Sequence, residues 1–229
     1  AFVKSVNTCA VRLAQKIGME AIINKAEELG ITSEMGKNYA TAIGASNVCL
    51  LEISACYGAT MTGGVKMNPF GIISIRNQQG KILYRAYQQN NKRVISREVC
   101  EKMKIIMREL VDRGTGRRAK LPIPAYAKTG TSNDSRDASF IGFAYPLVAG
   151  VWLGNDDNSP MNRKMTGGVL PAMVWRDFML TAFGYNKSVR EVQIEQAPKH
   201  AQTNLQKPQD LNKTERKKRD SIKSLVQKL

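Results

Sequence analysis

Between residues 7 and 17 the apolar side chains of Cys9, Leu13 and Ile17, with Ala10 and Ala14 beside them, recur at steps of three and four. That period gathers them on one helix face, and Gly18 follows as a stop, so the spacing predicts a helix over 7–17. A second helix is predicted over 19–29, carrying Ile22, Ile23, Ala26 and Leu29 and closing at Gly30. A third is expected to begin at Ser46 or Asn47, either able to cap it, and to run through LLEISACYGATM to Gly63-Gly64. Beyond Pro69 the pattern changes to alternation: GIISIRNQQGKILYRAY, residues 71–87, predicts two short strands around a polar turn. Ser96 then opens a helix whose stripe of Val99, Met103, Ile106, Met107 and Leu110 is broken by Gly114-Thr115-Gly116. AYAKTGT, ASFIGFA and LVAGVWLG, separated by SNDSRD and by Tyr145-Pro146, predict three sequential antiparallel strands. Pro171 is placed to start a last helix, AMVWRDFMLTAF, which Gly184 ends.

Helices, hairpin, helix, three-strand meander and helix make an α+β layout, an antiparallel sheet with flanking helices, rather than the βαβ alternation of a parallel sheet. MTGGV occurs at 61 and at 165, once after a helix and once before one, with flanks that differ, and is read as coincidence. After Gly184 the chain turns polar and rich in Lys, Gln, Asn and Glu, so residues 1–184 are expected to form the domain and 185–229 a basic, disordered tail. SIKSLVQKL at the end is compatible with a short helix.

Charge adds a constraint on partners. Lys and Arg number 35 against 19 Asp and Glu, a net +16 that favours nucleic acid, an anionic membrane face or an acidic wall polymer without choosing among them. Residues 186–229 hold 11 of those basic and 5 of those acidic side chains, so the larger part of the excess lies on the body. The four cysteines, at 9, 49, 56 and 100, lack a CxxC spacing, and the single His200 lies in the tail; no metal site and no cofactor is expected. Cys49 and Cys56, seven apart, would share a helix face and are read as core positions rather than a disulfide. No apolar run reaches the roughly 18 residues of a membrane span, and AFVKSVNT lacks the order of a signal peptide. If the protein works outside the cytoplasm, its targeting segment is expected upstream of residue 1.

One cation stands out against this background. Lys128 lies on a predicted strand among Ala127, Thr129, Gly130 and Thr131, small or hydroxylated neighbours that permit close backbone approach. An extended peptide pairing with such an edge would bring its terminal carboxylate to the Lys128 ammonium and to the Thr129 and Thr131 hydroxyls, with Gly130 leaving room. The plainer alternative is a lysine snorkelling from an edge strand, where it also discourages aggregation.

K-T-G on a strand is also one of three motifs of the serine-active penicillin-recognising enzymes, beside S-x-x-K and S-x-N. Ser5-Val6-Asn7 supplies S-x-N, ahead of TCAVRLAQKIG. The likeness continues through LLEISACYGATMTGG, DRGTGRRAKLPIPAYAKTGTSNDSRDASFIGF, LVAGVWLGNDDNSPM and MTGGVLPAMVWRDFM. Over residues 1–184 the chain resembles the C-terminal part of the transpeptidase domain of class A (bifunctional) penicillin-binding proteins. Cys49-Leu50, where relatives often carry Thr-Pro, is a structural departure. A larger one is that no serine here is followed three positions later by lysine. The family order puts that motif ahead of S-x-N, so the expectation is a fragment, or one half of a split or decayed domain, inactive alone.

The resemblance implies a partial penicillin-binding protein or serine β-lactamase-like fold. It also implies a substrate, the D-Ala-D-Ala end of a peptidoglycan stem peptide, with β-lactams as mimics, and a place in the periplasm at the outer face of the inner membrane through an upstream anchor. In that mechanism Ser5 would serve a proton relay, and Asn7 would hold the substrate backbone and the motif lysine. Lys128 would raise the local positive potential, the Thr129 and Thr131 hydroxyls would bind the carboxylate beside Gly130, and the Thr131 N–H would be half of an oxyanion hole. Other readings stand beside it. Ser5-x-Asn7 has the form of a helix cap. GTGRR at 114–118 lacks the GK[ST] of a phosphate loop. Asp156-Asp157 fits a solvated turn, and ERKKRD at 215–220 a solvated basic run. Two other functions are a non-catalytic remnant that binds wall peptide or a partner, and a basic nucleic-acid binder, for which no motif is present.

Overall fold

The computed structural model describes residues 1–86 and 92–185. Tyr87 of the expected hairpin lies outside the described residues, as do the tail after Tyr185, the ERKKRD run, the SIKSLVQKL segment and His200. In chain order the elements are α1 (Asn7–Ile17), α2 (Met19–Leu29), α3 (Leu50–Met61), β1 (Ser74–Arg76), β2 (Ile82–Arg85), α4 (Arg97–Arg113), β3 (Tyr126–Thr131), β4 (Asp137–Ala144), β5 (Leu147–Gly154) and α5 (Leu170–Ala182). The α+β layout is as the pattern predicts. Among the described residues no helix is long and apolar enough to cross a membrane.

Glycine sets the ends of the first two helices. Gly18, at φ 88°, returns its N–H to Ala14 O at 2.8 Å, and Gly30, at φ 114°, bonds Ala26 O and Glu27 O. The third helix starts later than expected, at Leu50. The hydroxyl of Ser46, one of its two predicted caps, is used elsewhere: it accepts from Gly36 N at 3.1 Å and lies 2.8 Å from Thr41 Oγ1. Ser33 attends the helix start instead, its Oγ accepting from Cys49 N at 3.3 Å, while Glu52 in the first turn is bonded by Thr32 and Ser33. Cys49 therefore precedes the helix and is exposed, whereas Cys56 is buried; only the second of the two expected core cysteines is one.

The sheet has the order β3-β4-β5, antiparallel throughout, with Lys128 opposite Ile141 and Gly130 opposite Ser139. Alternation along the strands gives it two faces. One presents Ala127, Phe140, Ala144 and Ala149, against which α5 lays Ala172, Trp175 and Met179 and α4 lays Leu110 and Val111. Phe140 and Trp175 meet with ring centroids 5.3 Å apart, and the Trp175 indole N–H donates to Ala149 O at 3.1 Å. The other face stacks Tyr126 on Phe143 at 4.9 Å and takes α3, whose Ser54 and Leu50 sit so close to Gly150 that a Cβ there would come within 2.5 Å of Ser54 Oγ.

The expected inner stripes hold less well at the N-terminal end. In α1 only Ala14 is buried; Leu13 and Ile17 are 58% and 52% exposed. In α4 the inner face is Cys100, Met107, Leu110 and Val111, with Val99 exposed. The hairpin β1–β2 is shorter than its alternation, carries a bulge between Ile75 and Arg76, and leaves Ile73 and Leu83 exposed. The two MTGGV segments do differ in role: Gly64, at φ 95°, packs on Ile95 O after α3, while Gly167 packs on Gly130 and Ser139 before α5.

Candidate functional site

Lys128 is half-buried on edge strand β3. Its ammonium donates to Ser5 Oγ at 2.5 Å and to Thr129 O at 2.9 Å, and lies 5.6 Å from the centroid of the Phe2 ring. Burial pushes its pKa down from the ordinary 10.5 to about 8, since a partly desolvated ammonium loses hydration that two neutral oxygens do not replace. Among the described residues no carboxylate pairs with it; the ion pairs there join other side chains. A desolvated cation without a counter-charge is a site that favours an anion.

Ser5 reaches Lys128 across 123 positions of sequence because residues 1–6 form a tight turn. Ser5 N bonds Phe2 O at 3.1 Å, Val6 N bonds Ala1 O at 2.9 Å, and Ser5 itself takes φ 51°, a left-handed conformation that serine rarely adopts. Ser5-x-Asn7 is not a cap: α1 follows Val6, with no side-chain cap. The hydroxyl is turned to the lysine instead. Asn7 opens α1, is exposed, and lies with Thr8, Val11, Arg12 and Gln15 along a shallow groove; among the described residues its amide has no hydrogen-bond partner, so it is not joined to Lys128.

The strand hydroxyls are held from outside the motif. Thr129 Oγ1 lies 2.7 Å from Thr115 Oγ1, and Thr131 Oγ1 accepts from Gly167 N at 3.0 Å. At Gly130 a Cβ would come 2.3 Å from Ser139 Oγ, so any side chain there would displace that hydroxyl. Thr115, Gly167 and Phe2 were not among the residues the sequence singled out for the site. The signal was present in the glycines of GTG and TGG. A Cβ at Gly114 would meet Val3 O at 2.6 Å, and one at Gly167 would meet Ser139 O at 2.2 Å and Gly130 O at 2.4 Å. Such contacts mark backbone packed on backbone. Thr115 N also bonds Val3 O at 3.3 Å, so the end of α4 ties the turn that carries Ser5 to the strand that carries Lys128. GTGRR thus joins two chain segments, and Asp157 accepts from Ser159 N at 2.9 Å in an exposed turn, as a solvated loop residue does.

Known proteins resemble this chain in sequence and fold. Penicillin-binding protein 1A of Aquifex aeolicus is 31% identical over 180 residues, covering 78% of this chain and 24% of that protein. Penicillin-binding protein 1A of Rickettsia typhi is 30% identical over 208 residues, covering 80% and 26%. The chain thus spans about a quarter of the length of these curated relatives. Among solved structures, penicillin-binding protein 1A from Haemophilus influenzae aligns with a TM-score of 0.71 at 22% identity, over 84% of this chain and 35% of that one. An imipenem acyl-enzyme complex of penicillin-binding protein A from M. tuberculosis aligns with a TM-score of 0.66 at 26% identity, over 80% and 47%. The family model for the penicillin binding protein transpeptidase domain matches residues 1–172, most of the chain, and the chain belongs to that family.

Proposed function

We propose that this chain supplies the substrate-binding strand and part of the proton relay of a D,D-transpeptidase domain that cross-links peptidoglycan. The observation that carries the reading is the contact between the Lys128 ammonium and the Ser5 hydroxyl. The substrate is a stem peptide ending in D-Ala-D-Ala, and β-lactams occupy the same groove. A serine hydroxyl on another segment, in an S-x-x-K motif, attacks the penultimate D-Ala carbonyl; its proton passes to that motif's lysine. The C–N bond breaks, the terminal D-Ala leaves with a proton delivered through Ser5, and an acceptor amine then resolves the ester.

In this scheme Lys128 attracts the substrate's terminal carboxylate, and the Thr129 and Thr131 hydroxyls bond it, with the Thr131 N–H as half of the oxyanion hole. Asn7 would join the substrate only after its amide swings toward Ser5 on binding. The protein would work in the periplasm, at the outer face of the inner membrane, when attached to an upstream anchor.

Fluorescent penicillin tests the scheme. The chain alone is expected to remain unlabelled, to become labelled when an upstream segment carrying S-x-x-K is added, and to label more slowly as Lys128→Ala. Strong labelling of the isolated chain, or labelling of the combined pair that Lys128→Ala leaves unchanged, would overturn the proposal. A chain that binds peptide without any labelling even beside the upstream segment would leave the non-catalytic remnant as the better reading.

A further inference from the structure

Thr115 has no role in the scheme above, yet the fold fixes it from three sides. Gly114 N and Gly116 N both bond Leu110 O, at 3.0 and 3.1 Å, which anchors the turn on the last residues of α4. Thr115 N bonds Val3 O at 3.3 Å, and Gly168 presses on Thr115 O so closely that a Cβ there would come 2.2 Å from it. The side chain nevertheless remains exposed, and its hydroxyl is 2.7 Å from that of Thr129. Held backbone with an exposed hydroxyl is a costly way to support a strand that β4 already pairs along its whole length.

The chemistry of the pair supplies a reason. Two hydroxyls in mutual contact have two protons; one is used between them and one is left to point outward. When Thr115 donates and Thr129 accepts, the outward proton belongs to Thr129, and a hydroxyl that already accepts a hydrogen bond is a stronger donor. The neighbouring Thr131 hydroxyl is arranged alike, accepting from Gly167 N–H so that its own proton is free. Both strand hydroxyls are thereby presented as donors on the same strand as the Lys128 cation, an arrangement suited to an anionic acceptor.

We propose that Thr115 is a positioning residue for recognition of the substrate's terminal carboxylate: its hydroxyl donates to Thr129 Oγ1 and directs the Thr129 proton to the anion. This rests on the function proposed above. It adds a residue outside the K-T-G motif as a determinant of selectivity for a free carboxylate over a neutral chain end.

Calorimetric titration of the chain with an acyl-D-Ala-D-Ala peptide and with its C-terminal amide separates the two levels. The unsubstituted chain is expected to prefer the acid. Thr115→Val and Thr115→Ala are each expected to weaken acid binding by about 5- to 10-fold, the size of one hydrogen bond, while leaving amide binding unchanged; Thr115→Ser is expected to restore the preference. The inference is overturned if both truncations keep the preference, if acid and amide binding fall together, or if Thr115→Ser behaves like Thr115→Val. An unsubstituted chain that does not discriminate acid from amide overturns the function proposed for Lys128, and this inference with it.

Discussion

The two partners of the central contact stand on very different ground. Lys128 rises from a strand whose sheet is clamped by Leu110, Phe140, Trp175 and Met179, all fully buried. Ser5 hangs from a six-residue turn ahead of α1, a helix with a single buried residue, Ala14, and with Leu13 and Ile17 turned outward. The turn is held by two internal backbone bonds and by Thr115 N to Val3 O. The cation is thus fixed by burial of apolar area, the hydroxyl by two bonds inside its turn, one bond to the end of α4 and the packing of Phe2 at the edge of the core. Charge placement tolerates little error in a desolvated setting, while in the proposed scheme the Ser5 hydroxyl passes a proton from donor to acceptor. A rigid lysine opposite a lightly held serine fits those two demands.

The largest expected effect breaks the rigid side. Trp175→Ala or Phe140→Ala removes a buried ring from the contact between sheet and α5 and is expected to cost about 3–5 kcal/mol in urea unfolding; a loss under about 1 kcal/mol would refute the contrast. Next comes Lys128→Ala, which is expected to reduce affinity for the acyl-D-Ala-D-Ala acid by about 10- to 100-fold, as loss of a charged hydrogen-bond donor does, without lowering stability. The hydrogen bonds lost to Ser5 Oγ and Thr129 O are expected to be offset by relief of the half-desolvated charge, and a destabilised variant would show that Lys128 is structural.

Glu52 sharpens the comparison at the base of α3. Hydrogen bonds from Thr32 and Ser33 hold its carboxyl down from 4.5 to about 2. A depressed folded-state value stabilises the fold above the unfolded pKa and is lost as pH falls through the folded one. Stability is therefore expected to drop between about pH 4.5 and 2, and Glu52→Gln to flatten that part of the acid-unfolding curve while lowering the plateau above it. The smallest effect is expected at Leu13→Ala, within about 0.5 kcal/mol, because an exposed side chain leaves no cavity. A cost near that of Trp175→Ala would show α1 packed far more tightly than its exposure indicates.

How much of this could be read along the chain follows the same division. The end of α1, both bounds of α2 and the start of α5 were legible because glycine and proline mark them locally. The meander was legible because short apolar runs are separated by the polar SNDSRD turn and by Tyr145-Pro146, although β4, buried at nearly every position, shows little alternation. The start of α3 was not, since the use of Ser46 by Gly36 and Thr41 is a tertiary choice that competes with capping. The exposure of Leu13, Ile17 and Val99 was hidden for another reason: an apolar stripe states which face is apolar, not what covers it. At the site, Lys128, Thr129 and Thr131 stood out as a cation among small and hydroxylated residues on a predicted strand and as part of a K-T-G motif. Thr115, Gly167 and Phe2 enter only through contacts between distant segments, and the trace of the first two in the sequence was a set of glycines packed against backbone.

The central claim is that Lys128 is a desolvated cation awaiting an anion. NMR titration of its ε-ammonium, assigned through Lys128→Arg, tests it directly. The expected value is about 8, with stability rising between about pH 8 and 10.5 because the folded chain releases this proton before the unfolded one does. Saturation with acyl-D-Ala-D-Ala acid is expected to move the titration upward, and the C-terminal amide to leave it in place. A lysine that titrates near 10.5 in the free chain and ignores the acid would contradict the account.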